Sequence, residues 1–178
     1  MARPESSLRR MVYAAMFGAL TAVTSLIVIP MQPVPITLQS LFSGLAGVLL
    51  GGYTGALSQI VYVLLGVIGL PVFAGGKAGL GTLFGPTGGY LIGFIVAAYV
   101  VGKIVEVRRE AGIVWIGLAL LVGNVLIYSL GVLQLCLVAQ LTLIKGLLVG
   151  VTPFLIGDLL KLAAAAVIGP KLRQYFRQ

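Results

Sequence analysis

Charged residues are sparse along this chain and fall between long apolar runs. Met11 to Ile29 is uncharged, and as a helix it would rise about 28 Å, enough for one bilayer span. Pro30, Pro33 and Pro35 follow, so Met31 to Pro35 is expected to be an extended loop. Ile36 to Leu70 carries no charge either. One unbroken helix there would reach about 52 Å, against a hydrocarbon core of about 30 Å. The helix must break, and Gly51-Gly52-Tyr53 is the expected place. Two short spans result, over 36–50 and 53–70. Pro71 to Thr87 reads as a glycine-rich loop with Lys77 as its one charge. Spans over 88–105 and 113–133 flank a charged turn. Thr152 reads as an N-cap with Pro153 at the first helical position, opening a last span over 153–169. The segment 135–151 is apolar but interrupted by Gln140 and Lys145, and is expected to be interfacial or re-entrant.

Composition agrees with that pattern. The chain is 60% hydrophobic and 9% charged, where soluble domains carry about 25% charge. The expected class is an all-α polytopic membrane protein, one domain over 1–178 with six transmembrane helices. The first apolar run is too long for a signal peptide and lacks a small-residue cleavage site, so it is expected to stay as a span.

The formal net charge is +8. The basic residues sit in short stretches between apolar runs, which points to positive-inside orientation rather than nucleic-acid binding. Six spans place both termini in the cytoplasm. Arg3, Arg9, Arg10, Lys103, Arg108, Arg109, Lys171, Arg173 and Arg177 then lie inside, nine of the 12 Lys and Arg. Lys77 and Lys145 lie outside, as do the loops at 30–35 and 71–87. There is no His and one cysteine, Cys136. An intrachain disulfide is excluded, and metal sites, cofactor chemistry and His-dependent catalysis are disfavoured. No enzyme activity is expected.

The chemistry concentrates in Pro153-Phe154-Leu155-Ile156-Gly157-Asp158-Leu159-Leu160-Lys161. Asp158 is the one acidic residue inside an apolar segment, and Lys161 shares its helical face at i+3. Each costs about 2.5–3.5 kcal/mol at a membrane-helix centre, while the apolar residues from Val151 to Gly169 return roughly 3–5 kcal/mol in all. Such a pair must face a solvated or protein-lined cavity, and is a site candidate on that ground. With Asp158 about 8 Å inside the outer end of its helix, the cavity is expected to open outward. A buried structural ion pair is the plainer alternative.

Other polar positions are more ambiguous. Gln39, Gln59 and Asn124 can bond between helices or read a polar ligand, a structural role being favoured for Asn124. Phe73, Phe84, Tyr90 and Trp115 can line a pocket or form an interfacial belt, the belt being the default for Trp115. Gly75-Gly76-Lys77-Ala78-Gly79-Leu80-Gly81 lacks Walker spacing, so it suits close backbone approach rather than nucleotide binding. Ala15-Met16-Phe17-Gly18-Ala19 is a small-xxx-small pattern, fit for a close helix partner or for packing inside the bundle.

Five segments in order carry a family resemblance: Pro33-Val34-Pro35-Ile36-Thr37-Leu38-Gln39, Gly55-Ala56-Leu57-Ser58-Gln59, Gly69-Leu70-Pro71-Val72-Phe73-Ala74-Gly75-Gly76, Gly85-Pro86-Thr87-Gly88-Gly89-Tyr90, and the Asp158/Lys161 segment. Together they resemble BioY, the biotin-specific substrate-binding (S) component of energy-coupling-factor (ECF) transporters. The resemblance covers roughly residues 11–170. It implies a six-helix protein of a prokaryotic plasma membrane that captures biotin from outside. It also implies docking through Ala15 and Ala19 onto an ECF transmembrane coupling protein with two ABC ATPases. The implied ligand residues are Asp158, Lys161, Lys77, Gln39, Gln59, Phe73 and Tyr90. Asp158 would accept ureido N–H bonds, and either Lys161 or Lys77 would meet the carboxylate. An S component for riboflavin or thiamine, and a proton-coupled secondary transporter, are the competing readings.

Overall fold

The structure is a computed structural model describing residues 7–108 and 110–176. Arg3, Arg109 and Arg177 lie outside the described residues. The elements run α1 (Ser7–Thr24), β1 (Val28–Ile29), β2 (Ile36–Thr37), α2 (Gln39–Val67), α3 (Leu80–Leu83), α4 (Gly88–Glu106), α5 (Ile113–Ala139), α6 (Leu143–Gly150), a 3-10 turn (Thr152–Phe154) and α7 (Leu155–Phe176). Four helical stretches are long and apolar enough to cross a membrane: Gln39–Val67, Gly88–Glu106, Ile113–Ala139 and Leu143–Phe176. α1, with Arg9 and Arg10 in its first turn, falls outside that set. The protein is an all-α membrane protein.

The break in α2 falls at Gly51, where φ is 81° and ψ 177°. A side chain is strained there, and a Cβ would also fall on the Glu106 carboxylate. Breaking a helix frees N–H groups at the start of its second half. Glu106 meets one of them: its Oε1 accepts from the Gly52 N–H at 2.8 Å, while its Oε2 accepts from Lys103 at 3.0 Å.

Several boundaries differ from the hydropathy reading. α1 ends at Thr24 rather than Ile29. Thr24 Oγ1 bonds the Leu20 and Thr21 carbonyls and Ser25 Oγ bonds Ala22, so local hydroxyls satisfy the helix end. The freed Val28 and Ile29 pair as a hairpin with Ile36 and Thr37, residues expected at the ends of two spans, with Val28 opposite Thr37 and Ile29 opposite Ile36, and the loop expected at 31–35 joins the two strands. α5 runs on to Ala139, and Gln140 closes it in a left-handed cap. Within the ambiguous 135–151 segment, α6 has 8 residues and rises about 12 Å, too little to cross a bilayer. Thr152 does not N-cap α7: its hydroxyl turns back to Leu147 O, Pro153 sits in the 3-10 turn, and α7 starts at Leu155. α7 also continues through Pro170 to Phe176 rather than stopping at Gly169.

α4 is the central helix, with 61% of its span buried against 22% for Leu143–Phe176. It packs on α2 and α5 through small residues. A Cβ on Gly47 would meet Ala98 O at 2.5 Å, and one on Gly93 would meet Ile127 Cα at 2.9 Å. Lipid gives no hydrophobic drive for helices to associate, so such close backbone packing supplies the attraction. α1 packs on α2, with Gly18 against Ser58 O.

The core divides into two ends. One holds Phe17, Val48, Leu49, Val105 and Ile116. There Phe176 meets Tyr13 at a tilt and Phe17 edge-on, Arg173 donates to Val105 O and Arg108 O, and Trp115 donates to Ile104 O beneath the Arg108 guanidinium. The start of α1, the α4–α5 turn and the end of α7 therefore meet, and the described basic residues of those segments gather with them. The other end holds Tyr62, Phe73, Tyr90, Phe94 and Phe154, beside the hairpin, the glycine-rich loop and α6.

Candidate functional site

Asp158 lies in the first turn of α7, where the helix N-terminus favours negative charge. It is buried, at 7% exposure, yet both carboxylate oxygens are engaged. Oδ1 accepts from Lys161 Nζ at 2.7 Å and from Ser40 Oγ at 3.4 Å, and Oδ2 accepts from the Tyr128 hydroxyl at 2.6 Å. Lys161 also donates to Thr37 O at 2.6 Å and to Ser40 Oγ at 3.4 Å. An ammonium has three protons, and all three have acceptors. α7 supplies the pair, α5 the tyrosine, and the β2–α2 junction the Thr37 carbonyl and Ser40.

This network forms one wall of a pocket. The opposite walls are aromatic and apolar: Phe73, Tyr90, Phe94 and Phe154, with Val34 and Pro35 of the hairpin across the top. The cavity enclosed between these walls is about 60 Å³, smaller than the roughly 300–1,000 Å³ usual for small-molecule sites. Phe73 is held edge-on to Tyr62, with ring centroids 5.8 Å apart, and fits against Gly66, which has no side chain to obstruct it. Tyr90 is fixed by its hydroxyl, which donates to Gly150 O at 2.9 Å. Gln39 is buried at the pocket edge, where its amide donates to the Tyr62 hydroxyl and its carbonyl accepts from Thr37 Oγ1. The combination of an apolar slot with a few converging polar groups suits a small ligand that is ring-like and polar at one end.

Of the residues expected at a site, the structure brings Asp158, Lys161, Gln39, Phe73 and Tyr90 together. Gln59 is elsewhere. It lies between α1 and α2, fully buried, its Nε2 donating to Thr21 Oγ1 and Ser58 Oγ. Both hydroxyls spend their own protons on backbone carbonyls, which fixes the amide orientation and leaves Gln59 Oε1 without a partner among the described residues. Lys77 is exposed and does not line the pocket. Phe84 is 72% exposed, and Trp115 belongs to the other end. Asn124 lines a smaller cavity beneath Asp158 and Lys161. Ala15 and Ala19 face outward from α1, while Ala14 and Gly18 face α2.

Tyr128, Ser40 and Thr37 are the contributors that sequence reasoning missed. Tyr128 had a signal: it is a hydroxyl within the uncharged run of α5, one turn after Asn124. Tyr128→Phe deletes the donor to Asp158 Oδ2 and leaves a buried carboxylate oxygen unpaired, a loss of about 1–3 kcal/mol. Thermal unfolding of the ligand-free protein in detergent should show the variant melting clearly below the wild type.

The fold and the site define a polytopic membrane protein with a small-molecule pocket set inside its helical bundle. A family model described as the BioY family matches residues 1–178. The chain is 42% identical over 167 residues to the biotin transporter BioY of Thermotoga maritima, covering 94% of this chain and 97% of that one. It is 39% identical over 159 residues to a probable biotin transporter BioY of Pyrococcus horikoshii, covering 89% and 93%. The crystal structure of the S-component for biotin from an ECF-type ABC transporter superposes with a TM-score of 0.87 at 26% identity, covering both chains completely. The chain belongs to the BioY family.

Proposed function

We propose that this chain is the biotin-binding S component of an ECF-type ABC transporter and that the Asp158–Lys161 pocket captures biotin. The observation that carries the reading is the pocket's two-sided chemistry: a charged, hydrogen-bonding wall facing an aromatic slot. Biotin has a ureido ring with N–H donors and a carbonyl acceptor, fused to an apolar thioether ring. Ureido N–H groups donate to Asp158, and charge-assisted bonds of this kind are the strong ones. Lys161 exchanges its long bond to Ser40 for the ureido oxygen. Phe73 and Tyr90 flank the rings, and Gln39 holds the slot's edge. The hairpin from Val28 to Thr37 serves as a lid, since Val34 and Pro35 roof the pocket and Thr37 O is tied to Lys161.

The chain forms a single membrane domain of six spans, with both halves of α2 crossing and α6 lying at the interface. Both termini face the cytoplasm of a prokaryotic plasma membrane. The meeting of the basic chain segments at one end of the bundle and the pocket loops at the other supports this orientation. The outward face of α1 with Ala15 and Ala19 docks on the ECF coupling protein and its two ABC ATPases, because small residues four apart admit a helix closely.

Equilibrium titration of the purified chain with biotin, riboflavin and thiamine tests the reading. Biotin is expected to bind and the other two are not. Binding of riboflavin or thiamine in place of biotin would reassign the pocket. Uptake by vesicles holding this chain alone, abolished by an uncoupler, would favour a secondary transporter.

A further inference from the structure

We propose that Gln134 is a positioning residue for ligand capture: its amide holds the α3 wall of the pocket in place, and so sets how fast a bound ligand leaves. The inference rests on the reading that this pocket captures biotin.

α3 has little packing to hold it. It is 4 residues long and none of them is buried. A segment with few buried contacts belongs to the low-stability end of a fold. Yet this one forms part of the ligand site. Thr82 of α3 and Thr87 just beyond it both line the pocket, as does Tyr90. Hydrogen bonds at the two ends of the segment must therefore fix its place.

The first end is tied to α2. The Gly79 N–H donates to Gly66 O at 2.7 Å, and the Thr82 hydroxyl turns back to Ala78 O at 3.0 Å. Gly66 is also where the Phe73 ring packs, so this end sits beside the aromatic wall.

The second end is tied to α5 by one side chain. The Gln134 amide nitrogen donates to Leu83 O and to Gly85 O, each at 2.8 Å. A primary amide has two N–H donors, and both are used. Both acceptors are carbonyls, so only the nitrogen of the amide can face them. Leu83 O is one of the carbonyls that a helix end leaves without a partner inside the helix. The two acceptors fall between Thr82 and Thr87 in the chain, the hydroxyl residues of the wall. Two glycines at the start of α4 make room for the amide. A Cβ on Gly88 would meet Gln134 Nε2 at 2.5 Å, and one on Gly89 would meet Gln134 Cβ at 2.9 Å. Gln134 does not itself line the pocket, so its effect on a ligand passes through the wall it holds.

The test uses the purified full chain, radiolabelled biotin, and the variants Gln134→Glu and Gln134→Leu. Both keep a side chain of similar size and remove both donors. A chase with unlabelled biotin should show dissociation about tenfold faster in either variant, a factor equal to about 1.4 kcal/mol and within the range of two lost hydrogen bonds. Association should stay near the wild-type rate, since such changes fall mostly on the off-rate. Hydrogen exchange in the ligand-free variants should quicken over residues 79–88 and keep its wild-type rate along α5. Wild-type dissociation in a folded variant, or faster exchange spread over the whole bundle, overturns the proposal. Loss of fold in both variants overturns it as well, because Gln134 would then support the bundle rather than one wall. Failure of the wild type to bind biotin overturns the reading of the pocket and the rate claim with it, while the exchange measurement still decides whether Gln134 holds α3.

Discussion

Asp158→Asn is expected to weaken biotin binding more than tenfold. The substitution keeps the shape of the side chain but replaces an anion by a neutral amide. Three donors now converge on that carboxylate, from Lys161, Ser40 and Tyr128. The amide nitrogen of Asn offers a donor where an acceptor is needed, so at least one of them loses its partner. Lys161 is left as a buried cation with no counter-charge beside it. Truncating one partner of a buried charge pair costs about 2–5 kcal/mol, and each 1.4 kcal/mol is about tenfold in affinity. Isothermal titration on detergent-purified protein measures the effect. Melting curves run in parallel separate lost binding from lost fold. A folded variant with wild-type affinity would remove Asp158 from the binding site.

Gly102→Leu should be among the most destabilising of simple changes at the helix contacts. A Cβ on Gly102 would fall on the backbone of Gly51 and Gly52, at the break in α2. Backbone atoms cannot rotate aside as a side-chain tip can. Gly47 faces the same interface from the other helix, against Ala98 O and Val101. The helices must therefore separate, which also strains the bond between Gly52 N–H and Glu106. Overpacking in a well-packed core costs roughly 1–3 kcal/mol, occasionally more, and a leucine against main chain belongs at the upper end. Thermal unfolding in detergent should show a large fall in midpoint and early aggregation. Gly102→Ala should move in the same direction by less. An unchanged melt for the leucine variant would mean that α2 and α4 lie further apart than the structure has them.

The reading of the chain by hydropathy succeeded where the signal is local. The 35 uncharged residues from Ile36 to Leu70 are expected to break at their paired glycine, and the helix does break at Gly51. Asp158 and Lys161 advertise themselves because an ion pair in an apolar helix is costly unless it faces a cavity or protein, and their i, i+3 spacing lets the two side chains meet. Helix ends were read less well. Thr24 and Ser25 end α1 by bonding back to its last carbonyls, a competition that apolar patterning does not register. Thr152 looked like a cap by type, but its hydroxyl has a better-placed carbonyl one turn back.

What the chain determined alone is the class of protein, the break at Gly51, and the Asp158/Lys161 pair beside which the pocket lies. Those follow from transfer free energies and from neighbours within one helical turn. What only the tertiary structure decided is who joins that pair. Tyr128 reaches Asp158 from 30 positions away, and the Thr37 carbonyl reaches Lys161 across 124. Gln39 and Gln59 are alike in sequence context, yet one lines the pocket and the other bonds α1 to α2. Lys161 and Lys77 are both lysines near apolar residues, yet one is inside with all its protons placed and the other is outside on a turn. Such sorting depends on which helix faces meet, and that is set by close packing of small residues around α4 rather than by any property of the side chains being sorted.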